Sequence, residues 1–276
     1  VIGAAMGIGM VIGPGLGGFL GGQALSLPFF VASGLSLIAL ALVFIILPDS
    51  PRVPQEAQPA HARGVQLSAM ARALSGPLSI LYVMAFLLSF GLTNFESVFG
   101  LYAATRYEYT TQQVGLILMV VGLISAVMQG GMTGPLTHRF GEIAIVRVAL
   151  LSSAIGFLVM TRPTTLPLVL LSVAYFVTSN AMLNPSVNSL ISKRASGGQG
   201  MAMGLANSFL SLGRVVGPLW AGFIFDINLN LPYLTGALIM LAGFVISIWK
   251  LRSNTGEDNL ASLALEAKTT IEGGLT

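Results

Sequence analysis

The stretch Val1–Gly22, VIGAAMGIGMVIGPGLGGFLGG, is apolar and rich in regularly spaced glycines. Its glycines at positions 9, 13, 17 and 21 recur every fourth residue, which places them on one face of a helix. In water each glycine destabilises a helix by roughly 1 kcal/mol relative to alanine. In hydrocarbon a helix is required, because unpaired backbone groups cost several kcal/mol each. We therefore predict a spanning helix whose glycine face lets another helix approach closely.

The same pattern returns in the second half of the chain. The positions Gly9, Gly13, Pro14, Gly17 and Gly18 match, without a gap, the positions Gly213, Gly217, Pro218, Ala221 and Gly222. Phe19 then aligns with Phe223. We interpret this match as an internal repeat, and membrane transporters are commonly built from repeats. Pro14 removes one helical hydrogen bond and is predicted to kink its helix.

Composition places the chain in a lipid bilayer. Hydrophobic residues are 54% and charged residues 8%, and the mean hydropathy is +0.85, whereas a soluble domain carries about 25% charged residues. The chain has no cysteine, which excludes a disulfide or a thiolate metal site. Its basic residues fall between apolar stretches, so no nucleic-acid partner is expected.

Eight spanning helices are predicted, because each apolar stretch is close to the 20 residues that a bilayer requires. They cover about 1–22, 28–47, 77–103, 113–133, 143–161, 166–191, 200–226 and 232–249. Residues 1–47 form the first helical pair, the proline-rich residues 48–76 a linker, residues 77–250 a six-helix bundle and residues 251–276 a tail. Residues 134–141 form a tight polar turn.

The basic residues predict the orientation. They concentrate on alternate connections, at Arg52, Arg63, Arg72, Arg139, Arg147, Lys193, Arg194, Lys250 and Arg252. The other side carries Arg106 and Arg162. By the positive-inside rule, the linker, the turn at 134–141 and the C-terminus are cytoplasmic.

The segment Gly9–Gly18 resembles the antiporter motif in helix five of the drug:proton antiporters of the major facilitator superfamily, a group that includes tetracycline and multidrug efflux proteins. The resemblance implies a partial major facilitator fold, from helix five to helix twelve. This is the last two helices of the N-terminal half plus a complete six-helix C-terminal half. Four further helices of the same protein would then precede Val1 and be its partners. The two glycine-rich helices would pack at the interface between the halves and rock as the cavity opens alternately to each side.

A second resemblance lies in the turn. The superfamily's loop pattern, Gly-x-Leu-x-Asp-Arg-x-Gly-Arg, is matched at Gly134, Leu136, Arg139 and Gly141. His138 replaces the acidic residue and Glu142 the second basic one. In the family this loop holds one conformational state through charge pairs near helix ends, and both substitutions put that pairing in question. The alternative is a turn whose arginine only marks the cytoplasmic side.

Polar residues inside predicted spans are candidates for function, because a charge at mid-bilayer costs at least roughly 2.5 kcal/mol. Glu96 follows Asn94 in the third helix, and Arg214 lies in the middle of the seventh. Each charge either serves a substrate or ion site or has another role. For Arg214 the alternative is a structural ion pair or a hydrogen bond to a helix carbonyl, and for Glu96 it is a wetted position near the outer surface. Asn180 and Asn184, one helical turn apart, face either the central cavity or a neighbouring helix.

The sequence predicts a carrier rather than an enzyme. It contains no zinc-binding, phosphate-cradling or Ser/His/Asp pattern, so no cofactor, metal or catalytic group is expected. With the resemblance, this points to a secondary transporter in the cell membrane that exports small amphipathic compounds, coupled to protons. The alternatives are an importer or facilitator of sugars or metabolites and, in another class, a membrane scaffold or sensor that transports nothing.

Overall fold

The computed structural model of the protein describes residues 2–46, 65–195 and 198–251. Every regular element in these ranges is a helix. The helices are α1 (Ile2–Gly21), α2 (Leu27–Ile46), α3 (Val65–Ala73), α4 (Ser79–Tyr107), α5 (Thr111–Val127), α6 (Thr133–Phe140), α7 (Glu142–Val159), α8 (Leu166–Ala181), α9 (Leu183–Arg194), α10 (Gln199–Phe225) and α11 (Leu231–Lys250). A π-helical turn, Met128–Met132, joins α5 to α6. Most of the predicted linker, and the predicted tail beyond Leu251, lie outside the described residues.

Seven helical segments have the length and hydropathy needed to cross a membrane. They are Leu27–Ile46, Ser79–Tyr107, Thr111–Phe140, Glu142–Val159, Leu166–Arg194, Gln199–Phe225 and Leu231–Lys250. The first predicted span corresponds to α1, in which the apolar part Gly7–Gly21 is shorter. The predicted all-α membrane class is confirmed, and the protein is a multi-pass membrane protein.

The tight turn predicted at residues 134–141 is wrong, because the helix continues to Phe140. The π-helical turn widens the backbone just before Pro135, where the proline lacks a donor and would otherwise break the helix. The Thr133 hydroxyl donates to the Met128 carbonyl at 2.6 Å and satisfies an acceptor within the wide turn. The chain breaks instead at Gly141, whose φ of +79° is a backbone conformation that glycine adopts without strain.

Helix α4 lies at the centre of the six-helix bundle. Its side chains Leu81, Phe95 and Tyr102 are at most 1% exposed, and it packs mainly against α10 and α11. Helix α1 contacts the rest of the structure chiefly through α5. Helix α2 has no buried residue in this structure and contacts α1. The two glycine-rich helices, α1 and α10, therefore have different partners.

Candidate functional site: two glycine seams and the polar residues beside them

The first seam joins α10 to α4, and we call it the α4–α10 seam. A Cβ atom added to Gly213 would lie 2.6 Å from the Phe86 carbonyl oxygen, and one added to Gly217 would lie 3.0 Å from that of Phe90. Real Cβ atoms essentially never come within 3.0 Å of another heavy atom. The Thr93 hydroxyl donates to the Ser89 carbonyl of its own helix at 2.8 Å and also lies 3.3 Å from the Gly213 carbonyl oxygen across the seam. The later glycine meets the later part of α4, so the two helices run parallel.

The second seam joins α1 to α5, and we call it the α1–α5 seam. A Cβ on Gly18 would lie 2.5 Å from the Gly115 Cα. One added to Gly122 would lie 3.0 Å from the Val11 Cα. Because the order of the contacts reverses between the helices, α1 and α5 run antiparallel. Glycine on both sides of this seam lets the two backbones touch.

The remaining motif glycines make no close contact within the described part of the chain. A Cβ added to Gly9, Gly13, Gly17 or Gly222 would have no described heavy atom within 4 Å. Pro14 and Pro218 lie inside α1 and α10. The packing of both glycine-rich helices at the interface between the two halves stays a prediction. Gly213 and Gly217 pack inside the six-helix bundle, and α1 meets α5 through the row that contains Gly15 and Gly18.

Two charges lie beside the α4–α10 seam. Glu96 on α4 and Arg214 on α10 are both exposed, and Arg214 exerts a Coulombic attraction on the Glu96 carboxylate. The two side chains do not form an ion pair within 4 Å. Among the described residues, the ion pair within this distance is between Glu142 and Lys193. The structure therefore brings the two charges near each other and leaves both heads free to meet a third group.

The asparagines predicted for a cavity lie mostly in the core. Asn94 is fully buried and Asn180 is 2% exposed. The Asn94 amide donates to the Pro232 carbonyl on α11 at 3.0 Å, so this side chain points into the bundle. The Asn94 Oδ1 and the Asn180 Nδ2, an acceptor and a donor, have no hydrogen-bond partner. Asn184 is half-buried and accepts a hydrogen bond from Asn188 at 3.0 Å.

The loop-motif residues lie at the end of the bundle where α6 meets α7. Gly134 is exposed on α6, and Gly141 forms the break between the helices. The Arg139 guanidinium lies over the Phe140 ring, 5.4 Å from its centroid. Glu142, which departs from the family pattern, accepts hydrogen bonds from Lys193 at 2.5 Å and from Ser189 at 3.0 Å. The loop therefore forms a charge pair at a helix end, with an acidic residue, Glu142, at the position where the family pattern has a basic one.

Exchanging the charges of this pair tests its contribution. Glu142→Lys would place two cations together and is expected to lower the free energy of unfolding by about 1 kcal/mol, whereas Glu142→Lys combined with Lys193→Glu restores most of it. The effect is small because the Lys193 side chain is 65% exposed and solvent screens the pair. Thermal unfolding of the single and double variants at low salt and at 1 M salt measures it. Equal stability of the single and double variants would contradict a direct pairing.

Sequence reasoning missed the contacts of two residues, Thr93 and Arg147. Thr93 precedes Asn94 directly, but a lone hydroxyl in a span gives no signal of a seam. The Arg147 guanidinium donates to the Ser247 carbonyl at 3.4 Å and also to that of Leu251, and so satisfies acceptors at the end of α11. A cation at a helix C-terminus also interacts favourably with the negative end of the helix dipole. Its position near a span end indicated orientation but not this partner.

Comparisons with known proteins agree with this architecture. The sequence model described as "Major Facilitator Superfamily" matches residues 1–199 and 130–272. The crystal structure of the human organic anion transporter MFSD10 (TETRAN) superposes with a TM-score of 0.68 at 25% identity. The match covers 89% of this chain and 62% of that one.

Curated relatives are drug-resistance proteins. Multidrug resistance protein 2 of Bacillus subtilis (strain 168) is 28% identical over 92% of this chain and 64% of its own length. Multidrug resistance protein 1 of the same organism is 32% identical over 90% of this chain and 63% of its own length. Quinolone resistance protein NorA of Staphylococcus aureus (strain COL) is 26% identical over 86% of this chain and 60% of its own length. The chain thus spans somewhat less than two thirds of the relatives that it matches.

Proposed function

Because this chain belongs to the major facilitator superfamily, we propose that it is part of a secondary transporter that exports small amphipathic compounds across the cell membrane. The observation that carries the proposal is the likeness of 86% or more of the chain to multidrug and quinolone resistance proteins. Major facilitator proteins are carriers, and the members with such names act on small molecules. The proposal extends their substrate class to this chain.

The energy source that we propose is the proton gradient. Glu96 is an exposed carboxylate within a spanning helix, and Arg214 is close enough to attract it. A charge held inside the membrane is costly, so a carboxylate there favours a role in binding or in proton transfer. Protonation of Glu96 would release the attraction of Arg214 and leave the arginine to another partner. The pair is thereby suited to couple a proton to a change at the α4–α10 seam.

We also propose that the end of the bundle with Arg139 and Lys193 faces the cytoplasm, as the positive-inside rule favours. Arg106 and Arg162 would then lie at the outer surface. In this orientation the C-terminus is cytoplasmic.

Replacing Glu96 tests coupling. Cells that express the protein are loaded with ethidium, a fluorescent lipophilic cation, and its efflux is followed with and without a proton uncoupler. Wild-type efflux should stop with the uncoupler, and Glu96→Gln is expected to lose at least about tenfold in rate, because the amide cannot exchange a proton. Glu108→Gln, at the end of α4 and outside the span, is the matched control and should export normally.

Uncoupler-sensitive efflux at the normal rate in Glu96→Gln would overturn the coupling role of this residue. A wild-type efflux rate that the uncoupler does not change would overturn proton coupling altogether. Uptake of the dye, rather than efflux, would favour the importer that the sequence leaves open.

A second candidate substrate class is favoured by Arg214. Its guanidinium is exposed within a span and has no ion pair within 4 Å among the described side chains. A free cation of this kind suits an organic anion, the class named for the human structural relative. Export of an anionic dye such as carboxyfluorescein that Arg214→Gln abolishes would support this class over lipophilic cations.

A further inference from the structure

A groove runs between α7 and α8 on the outer surface of the six-helix bundle. Its volume is about 540 Å³, which lies within the range of small-molecule sites. Its walls are formed by Ile155 and Val159 of α7 and by Leu168 and Leu171 of α8. These four side chains are 42–69% exposed, so the groove is open along its length to the surroundings of the bundle.

The two hydroxyl groups of the groove already make hydrogen bonds to groups of α7 and α8. The Ser172 hydroxyl donates to the Val169 carbonyl at 2.8 Å. The Tyr175 hydroxyl accepts a hydrogen bond from Ser152 at 2.7 Å. The walls therefore present mainly apolar surface, which suits a hydrocarbon chain better than a polar solute.

One cation stands at the end of this apolar groove. Arg162 lies in the connection between α7 and α8 and is exposed. Its guanidinium makes no ion pair within 4 Å and no side-chain hydrogen bond with a described residue. A connection between two spans lies near the level of the lipid head groups, where an arginine meets phosphate directly.

Arg106, at the same end of the bundle, has a different environment. It lines one cavity together with Asp226 and another together with Glu108. Carboxylates therefore lie near its charge. The two arginines differ in the surface beside them, because Arg162 lines an apolar groove and Arg106 lines cavities that also contain a carboxylate.

We propose that the α7–α8 groove binds an anionic phospholipid, with its phosphate on Arg162 and an acyl chain between α7 and α8. The planar guanidinium presents a fork of donors that matches two phosphate oxygens. The apolar walls supply the remaining affinity by packing against the chain. The residues that line the groove belong to α7, α8 and their connection, whereas Glu96 and Arg214 belong to α4 and α10.

Native mass spectrometry of the purified protein with equimolar phosphatidylglycerol and phosphatidylcholine, of identical acyl chains, tests the proposal. The wild type and Arg106→Gln should bind phosphatidylglycerol roughly fivefold in preference, the contribution expected of one basic residue near an anionic head group. Arg162→Gln should lower this ratio to about one, and Arg162→Lys should keep most of it. Leu171→Trp, which fills the groove, should lower the binding of both lipids.

A ratio near one in the wild type would overturn the proposal, as would an unchanged ratio in Arg162→Gln. Displacement of phosphatidylglycerol by ethidium would instead assign the groove to transported compounds. Arg162 and Leu171 are exposed side chains, so these variants are expected to fold, and matching helix content by circular dichroism verifies this.

Discussion

Gly217→Leu is expected to abolish export and to lower the free energy of unfolding by about 3 kcal/mol or more. The Cβ alone would meet the Phe90 carbonyl at 3.0 Å and the Thr93 hydroxyl even more closely. The branched end of leucine has no room unless α10 moves away from α4. Overpacking in a well-packed interior costs about 1–3 kcal/mol, and more where backbone must move. Dye efflux and thermal unfolding of the purified variant measure the two effects.

Gly222→Leu is the matched control on the same helix. A Cβ at Gly222 has no described neighbour within 4 Å, so this variant should keep stability near the wild-type value. Both variants add the same side chain to a motif glycine, and the difference between them isolates the contact with α4. Normal export and stability of Gly217→Leu would show that the α4–α10 seam is not closely packed in the working protein.

Gly18→Leu is expected to separate α1 from the six-helix bundle and to reduce export to background. Its Cβ would lie 2.5 Å from the Gly115 Cα and 3.0 Å from the Thr111 carbonyl oxygen, and neither is a flexible group that can turn aside. Gly17→Leu is the control, because the adjacent glycine has no described atom within 4 Å of its Cβ.

A disulfide reports directly on the α1–α5 seam, since the chain has no native cysteine. A Cβ at Gly15 would lie 3.5 Å from the Met119 Cβ, a separation that a disulfide accommodates. The pair Gly15→Cys and Met119→Cys should cross-link on mild oxidation, both alone and with Gly17→Leu added. With Gly18→Leu added, the cross-link should not form. Equal cross-linking in both backgrounds would refute close contact at Gly18.

The membrane class could be predicted from sequence, but the contacts of each glycine could not. Glycine has no side chain, so two rows that lie side by side on α1 look equally suited to packing. The predicted motif on α1 contained Gly9, Gly13, Gly17 and Gly18. Of these four, Gly18 makes a close contact with α5, as does Gly15, which the motif does not include. The partner helix determines which glycine row is packed. No sequence motif around Gly115 identifies it as the partner of Gly18.

The polar residues show the same limit. A period of four residues placed Asn180 and Asn184 on one face of a helix, but a helical face can meet a cavity or a core. Asn94 points into the bundle because Pro232 on α11 offers it an acceptor, a contact across 138 positions of sequence. Lys193 likewise reaches Glu142 from 51 positions away. Spacing along one helix carries no information on such pairings.

The opposite directions of the two seams have an electrostatic consequence. Each helix end carries about half an elementary charge, positive at the N-terminus and negative at the C-terminus. In the parallel α4–α10 pair, like ends stand side by side and repel each other. In the antiparallel α1–α5 pair, unlike ends adjoin and attract. Close packing must therefore hold α10 beside α4 against this repulsion, whereas the dipoles of α1 and α5 favour their contact.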